Sequence, residues 1–307
     1  MCVVMLAAVS LPAAAVQADT GAVRQYQFVP AGGRYQLALM EVPQPSAGPG
    51  EVLVRVHAVS LNRRDLNMLD NEYGDDDAYS GGIPLSDGAG EVIAIGQGVS
   101  RFAVGDRVAG IFFERWIEGP PSPDALLSDR GGNAGGMLSE VIVSREDGLV
   151  RIPQHLSYEE AATLPCAALT AWVGLFKRGG LEAGQFVLLE GTGGVSIFGL
   201  QLAHAAGAMP VITSSSDAKL EFAKTLGAHG TVNYRDNPED WHLRAKAFTA
   251  GHGFDQVLDV VGRSTLPKAL EVLANGGNVA LIGGLSGYGS DLPTDSIMWI
   301  NATASGV

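Results

Sequence analysis

Phe186-Val-Leu-Leu-Glu-Gly191-Thr192-Gly193-Gly194-Val195-Ser196-Ile-Phe198 reads as a short apolar strand, a glycine turn and the opening of a helix. Gly191 permits the turn, and Gly193 lets backbone amides approach a pyrophosphate. The helix N-terminus adds partial positive charge at the same place. Ser196 stands where a third glycine often sits, and its small side chain still allows close helix packing. The stretch predicts a dinucleotide site contacted by Gly191, Thr192, Gly193, Gly194 and Val195. The alternative is an ordinary glycine-rich strand–helix turn.

Working outward toward the C-terminus, short apolar runs recur at Val211–Thr213, Gly230–Asn233, Gln256–Val260 and Asn278–Ile282, separated by helical stretches. Alternation of this kind predicts an α/β architecture with a doubly wound parallel sheet. A dinucleotide fold that prefers NAD usually carries an acid at the end of its second strand, about 20 residues beyond the glycine turn. Here that strand ends Thr213-Ser214-Ser215-Ser216, with Lys219 close behind. Ser214, Ser215 and Lys219 therefore predict a 2′-phosphate site, NADP(H) being favoured over NAD(H). Alternatively the serines cap the helix Asp217–Leu226.

Toward the N-terminus the texture is different. Val23–Phe28 and Glu51–Val59 alternate like strands, and further strand-like segments follow at Gly90–Ile95, Arg107–Phe113 and Leu138–Val143. Gly, Pro and Asp turns separate them, as in a small barrel of short strands. Asn62, with Asp65 three positions later, predicts a helix start after the second strand. Gly119–Gly136 reads as a long surface loop. Ser157-Tyr-Glu-Glu160 is a capping box opening a helix that runs to Phe176 despite Pro165, and the domain boundary is expected near Pro153.

Composition narrows the function classes. With 46% hydrophobic and 17% charged residues, a 307-residue chain can bury two cores. A net charge of −13 without a Lys/Arg stripe excludes a nucleic-acid grip. Two cysteines, Cys2 and Cys166, cannot build a disulfide framework or a Cys-rich metal lobe. Residues 1–18 form an apolar run ending in an A-x-A-like site, but no Lys or Arg precedes Arg24, and the run is too short to span a membrane. We expect residues 1–22 to be a misassigned start of a cytoplasmic protein, the alternative being a cleaved leader and a periplasmic or secreted one.

Taken in order, Gly50-Glu-Val-Leu-Val-Arg, Ser60-Leu-Asn62-Arg63-Arg-Asp65, Gly88-Ala-Gly-Glu-Val, Val104-Gly-Asp-Arg-Val, Leu164-Pro-Cys-Ala-Ala-Leu-Thr170 and the glycine turn resemble the medium-chain dehydrogenase/reductases, in particular their zinc-free, quinone oxidoreductase-like branch. The resemblance covers residues 23 to 307. It implies a GroES-like barrel over 23–153, a Rossmann domain over 154–307, an interdomain cleft and usually a homodimer. It also implies hydride transfer between a nicotinamide and a small-molecule carbonyl, enone, quinone or alcohol. Asn62 would lie beside nicotinamide and substrate or serve only as a helix cap, Arg63 would meet substrate or face solvent, Thr170 would touch the nicotinamide, and Tyr234 would sit near the adenine-side phosphate or simply end a strand. The zinc alcohol dehydrogenases of the family place a Cys, a His-Glu pair and a second Cys where this sequence has Asn62, Ser86-Asp87 and Cys166. One soft ligand against the three required implies no catalytic zinc. Alternatives are a zinc enzyme with atypical ligands and a noncatalytic NADPH-binding protein on the same scaffold. Relatives also continue beyond the position of Val307, so a truncated chain, less stable and doubtful as a dimer, is expected.

Overall fold

Short continuous apolar runs build the central strands of the C-terminal sheet. In a computed structural model, which describes residues 9–10, 21–73, 78–289 and 294–307, the chain divides into two compact units, Met1–Cys166 and Ala167–Val307. The apolar segment at the N-terminus lies outside the described residues except for Val9–Ser10.

The first unit is mainly antiparallel. Its strands are β1 (Val9–Ser10), β2 (Ala22–Pro30), β3 (Tyr35–Pro43), β4 (Glu51–Ser60), β5 (Asp87–Ile95), β6 (Arg107–Gly110), β7 (Val141–Arg145) and β8 (Leu149–Arg151). One sheet runs β1-β4-β5-β6-β8, with β7 also paired to β4, while β2 and β3 form a separate ribbon. Val52, Val54, Val56, Val92, Val108, Ile142 and Leu149 fill its core. Burying each such side chain stabilises the fold by roughly 1.5–3 kcal/mol before conformational entropy is counted. Helices α1 (Arg63–Leu69), α2 (Pro123–Leu126) and α3 (Tyr158–Ala162) complete the unit. Ala161 and Ala162 of α3 pack on Ala58, Ala89 and Ile152, so α3 falls within the first compact unit.

The expected surface loop before Gly136 is anchored from within. Arg130 is fully buried; its guanidinium pairs with Glu114 and donates to Ser144 Oγ at 2.9 Å and to the carbonyl of Gly148 at 3.3 Å. Arg64 holds the neighbouring Asp129 at 2.7 Å and lies over the Phe112 ring.

The second unit begins with a helical run in which α4 (Leu169–Trp172) is flanked by π-helical turns at Leu164–Ala168 and Val173–Arg178. Pro165 lies in the first of these, where its missing N–H interrupts an α-ladder. Then come β9 (Phe186–Leu189), α5 (Gly194–Ala205), β10 (Met209–Ser214), α6 (Asp217–Thr225), β11 (Gly230–Asn233), α7 (Trp241–Lys246), β12 (Phe254–Asp259), α8 (Leu266–Val272), β13 (Leu273–Leu281), α9 (Thr294–Trp299) and β14 (Thr303–Gly306). All six strands are parallel, in the order β11-β10-β9-β12-β13-β14. Val187, Leu189, Ile212 and Leu258 enter one core, whereas Leu188, Val211 and Val257 enter the other. Successive side chains thus bury both faces, as a sheet covered by helices on each side requires.

Candidate active site

The cofactor turn is built from two local constraints. Gly191, at φ +75°, takes a left-handed conformation that a side chain would strain, and its N–H donates to Thr213 Oγ1 at 2.9 Å. Gly193 caps α5, and a Cβ placed on it would enter open space, so the cradle in front of the helix is kept clear by the absence of a side chain. Ser196 is buried and donates to the Glu190 carbonyl at 2.7 Å, tying the first helical turn to the strand end. Gly199 provides the close helix–sheet approach, since a Cβ there would meet Leu189 and Leu258 at 2.9 Å. A twelve-residue helix presenting its unsatisfied N–H groups to this clear space fits a pyrophosphate.

Around the turn the structure brings several expected residues together. Thr192 and Ser214 hydroxyls hydrogen-bond at 3.0 Å, and Ser214 Oγ also accepts the Ser216 N–H at 3.3 Å. Ser214 is buried, while Ser215 and Lys219 are half-buried at the start of α6. Ser216 is the N-cap of α6 but its side chain makes no capping bond. Tyr234 follows β11, and its N–H donates to the Ser214 carbonyl at 3.1 Å. Thr170 lies on α4, and the preceding Ala167 sits against Gly194, where an added Cβ would come within 3.2 Å.

In the first unit a second constellation surrounds Asp87. This carboxylate is fully buried, accepting the Ser86 hydroxyl at 2.9 Å and the Cys166 N–H at 3.1 Å. Burial raises its pKa to about 6 against the pull of Asn62, Ser86 and Cys166 donors. Asn62 caps α1, its N–H donating to Asp65 Oδ2 at 2.7 Å, while its own Nδ2 is buried without a well-formed hydrogen bond. Asp65 is also raised to about 6, again chiefly by burial. The Cys166 thiol is pushed up to about 12 by burial and by Asp87. Arg63 is exposed at the first position of α1.

Comparison with known proteins settles the family. Residues 48–154 match the alcohol dehydrogenase GroES-like domain and residues 194–307 the zinc-binding dehydrogenase domain. A zinc-type alcohol dehydrogenase-like protein of Schizosaccharomyces pombe is 44% identical over 84% of this chain and 74% of its own length. The chain belongs to the medium-chain dehydrogenase/reductase family. Among other relatives, a quinone oxidoreductase of Pseudomonas aeruginosa is 32% identical over 86% of the chain and 74% of its own length. The crystal structure of a putative alcohol dehydrogenase from Sinorhizobium meliloti superposes with a TM-score of 0.87 at 37% identity, covering 94% of this chain and 84% of that one. As a medium-chain dehydrogenase/reductase the protein is a nicotinamide-dependent oxidoreductase acting on small molecules. Among the described residues no helix is long and apolar enough to cross a membrane.

Zinc is implied by the name of one matching domain, so the donor set of this medium-chain dehydrogenase/reductase bears on it. Asn62 offers an amide, both Asp87 oxygens are engaged by Ser86 and Cys166 donors, and the Cys166 thiol is strongly disfavoured as thiolate. Among the described residues no group of three or more His, Cys, Asp or Glu is placed to hold a metal. These residues do not fit a tetrahedral catalytic ion with three protein ligands.

Sequence reasoning missed Thr213, Gly199, Arg64 and the carboxyl pair Glu190 and Asp259. Only Gly199 carried a readable signal, a glycine one helical turn after Ser196 on the face that meets the sheet.

Proposed function

We propose that this protein catalyses NADP(H)-dependent reduction of a carbonyl, an activated enone or a quinone, or the reverse oxidation, without catalytic zinc. The observation that carries the reading is the end of β10, where Ser214 with its Thr192 partner, Ser215 and Lys219 stand in place of an acid. None of these four residues carries a carboxylate to repel a 2′-phosphate, and Lys219 adds a charge-assisted donor. Gly191, Thr192, Gly193, Gly194 and Val195 receive the pyrophosphate, with Tyr234 and Thr170 as further contacts. The bound nicotinamide supplies the hydride chemistry.

The chain's own task is to orient the reactants and to stabilise charge on the substrate oxygen. Asn62 Nδ2 is a buried donor without a well-formed partner and is the group assigned to that oxygen. Arg63, exposed, is assigned to substrates carrying an anionic group. Support for a zinc-free reaction comes from the amide at position 62 and the fully engaged carboxylate of Asp87.

The test is oxidation of NADPH and of NADH with a panel of enones, quinones, aldehydes and ketones, with product identification and metal analysis of the same sample. Turnover with NADPH, tighter NADPH binding and activity retained in chelator are expected. Equal dissociation constants for the two cofactors, or turnover that depends on one zinc per chain, contradict the reading.

A further inference from the structure

Glu190 and Asp259 occupy the carboxyl ends of two neighbouring parallel strands. β9 and β12 pair Val187 with Gln256, Leu188 with Val257 and Leu189 with Leu258, and one further step sets Glu190 against Asp259. The strand order reverses between these two strands, and in an open α/β sheet the ligand crevice lies outside the carboxyl ends at that point. The pair therefore lies at the end of the sheet from which the Gly191 turn departs.

Both residues are buried, Glu190 at 1% exposure and Asp259 at 0%. Asp259 Oδ1 accepts the N–H of Val261 at 2.9 Å, the N–H of Gly262 at 2.7 Å and the Thr265 hydroxyl at 3.0 Å, which organises the loop after β12. Asp259 Oδ2 and both Glu190 carboxyl oxygens lack a well-formed hydrogen bond, the Thr265 hydroxyl being the one donor that acts on Glu190. Three orphaned acceptors facing each other in the core carry a large desolvation cost. Among the described residues the only charged group acting on Glu190 is Asp259; the other influence is the Thr265 hydroxyl, and no cation takes part. A single proton on Glu190 removes most of the conflict, because its O–H can donate to Asp259 Oδ2. Burial and the Asp259 charge both drive Glu190 toward that neutral form, well above the usual carboxylate range.

We propose that Glu190 is a positioning residue: as a neutral acid it donates to Asp259, clamps the glycine turn to the Val261–Thr265 loop, and weakens dinucleotide binding when its proton is lost. The inference rests on the reading of the turn as a dinucleotide site. Physically, Glu190 immediately precedes Gly191, and its carbonyl receives the Ser196 hydroxyl, so movement of the strand end moves the turn and the helix start together. An ionised Glu190 also places a second negative charge under the site of an anionic pyrophosphate.

The experiment compares the native protein with E190Q and E190L from about pH 6 to about pH 9. NADPH affinity is measured by titration, and thermal stability is measured without cofactor. The side-chain amide of E190Q donates an N–H at every pH, whereas the aliphatic side chain of E190L leaves Asp259 Oδ2 unpaired. In the native protein, melting temperature falls as pH rises toward the folded-state pKa of Glu190, and affinity falls above that pKa, by up to about ten-fold per pH unit. E190Q shows a flatter profile in both, and E190L binds more weakly than E190Q throughout. Effects of ionisation on NADPH itself and on Lys219 are common to all three proteins and cancel in the comparison. Parallel pH profiles of native and E190Q proteins overturn the proposal. If E190Q flattens the melting profile but no variant binds NADPH at any pH, the dinucleotide reading fails, and the clamp's role in binding falls with it.

Discussion

Arg130 in the first unit and Glu190 in the second are both ionisable and both withdrawn from water, yet their surroundings treat them in opposite ways. Around Arg130 stand Glu114, the Ser144 hydroxyl and the carbonyl of Gly148, so a charge is retained and hydrogen-bonded. Glu190 meets another carboxyl group and no cation, and burial together with that neighbour pushes its pKa well above the usual carboxylate range. Asp87 lies between these extremes, with donors from Ser86 and Cys166 but burial strong enough to raise it to about 6. Depth alone therefore does not set the charge state; the partners waiting at that depth do.

The largest expected effect breaks the paired case. Arg130→Met leaves the largely buried Glu114 side chain without its cation, and a loss of about 3–5 kcal/mol in unfolding free energy is expected. Chemical denaturation measures it, and a loss below about 1 kcal/mol would show that the buried pair does not hold the loop before Gly136.

The intermediate case yields a pH signature. Because the folded-state pKa of Asp87 is raised from 3.8 to about 6, the folded chain keeps a proton that the unfolded chain releases. Its contribution to stability is complete below pH 3.8 and is lost as pH rises to about 6. Asp87→Asn removes this titration while keeping an acceptor for the Cys166 N–H. The decline in stability between about pH 4 and about pH 7 should shrink by on the order of 2–3 kcal/mol. An unchanged decline in the variant refutes the assignment.

The smallest effect comes from a charge that remains partly in water. Lys219→Ala should weaken NADPH binding by roughly 1 kcal/mol, about five-fold, with little change for NADH. Titrations with both cofactors decide it, and equal losses for the two would remove Lys219 from the 2′-phosphate site.

These contrasts also explain what could be read from the residues alone. β9 was legible to the residue because a parallel strand buried on both faces is an uninterrupted apolar run between turns. The capping boxes at Asn62 and Ser157 were legible because they are local in sequence. β3 escaped notice because most of its side chains face outward, so no core-facing alternation marks it. Glu190 and Asp259 looked like ordinary polar ends of strands, and only the neighbour relation of β9 and β12 brings them together. Arg130 looked like part of a solvated loop, since nothing in the local sequence reveals that Glu114 and Ser144 lie around it. The serines after β10 were legible as a polar strand end, but the burial of Ser214 against Thr192 was not, because that contact spans a helix.

The π-helical turns on either side of α4 make this helix sensitive to length as well as to composition. A π turn accommodates what amounts to one residue more than an α turn, and side chains along an α-helix step by about 100° per residue. Deleting a single residue between Leu164 and Ala168 would let the ladder revert to regular α-geometry and swing Thr170 to another side of the helix. Alanine substitution anywhere in the same turn leaves that angle alone. At this place, a change of one residue in length alters the geometry more than many changes of side chain.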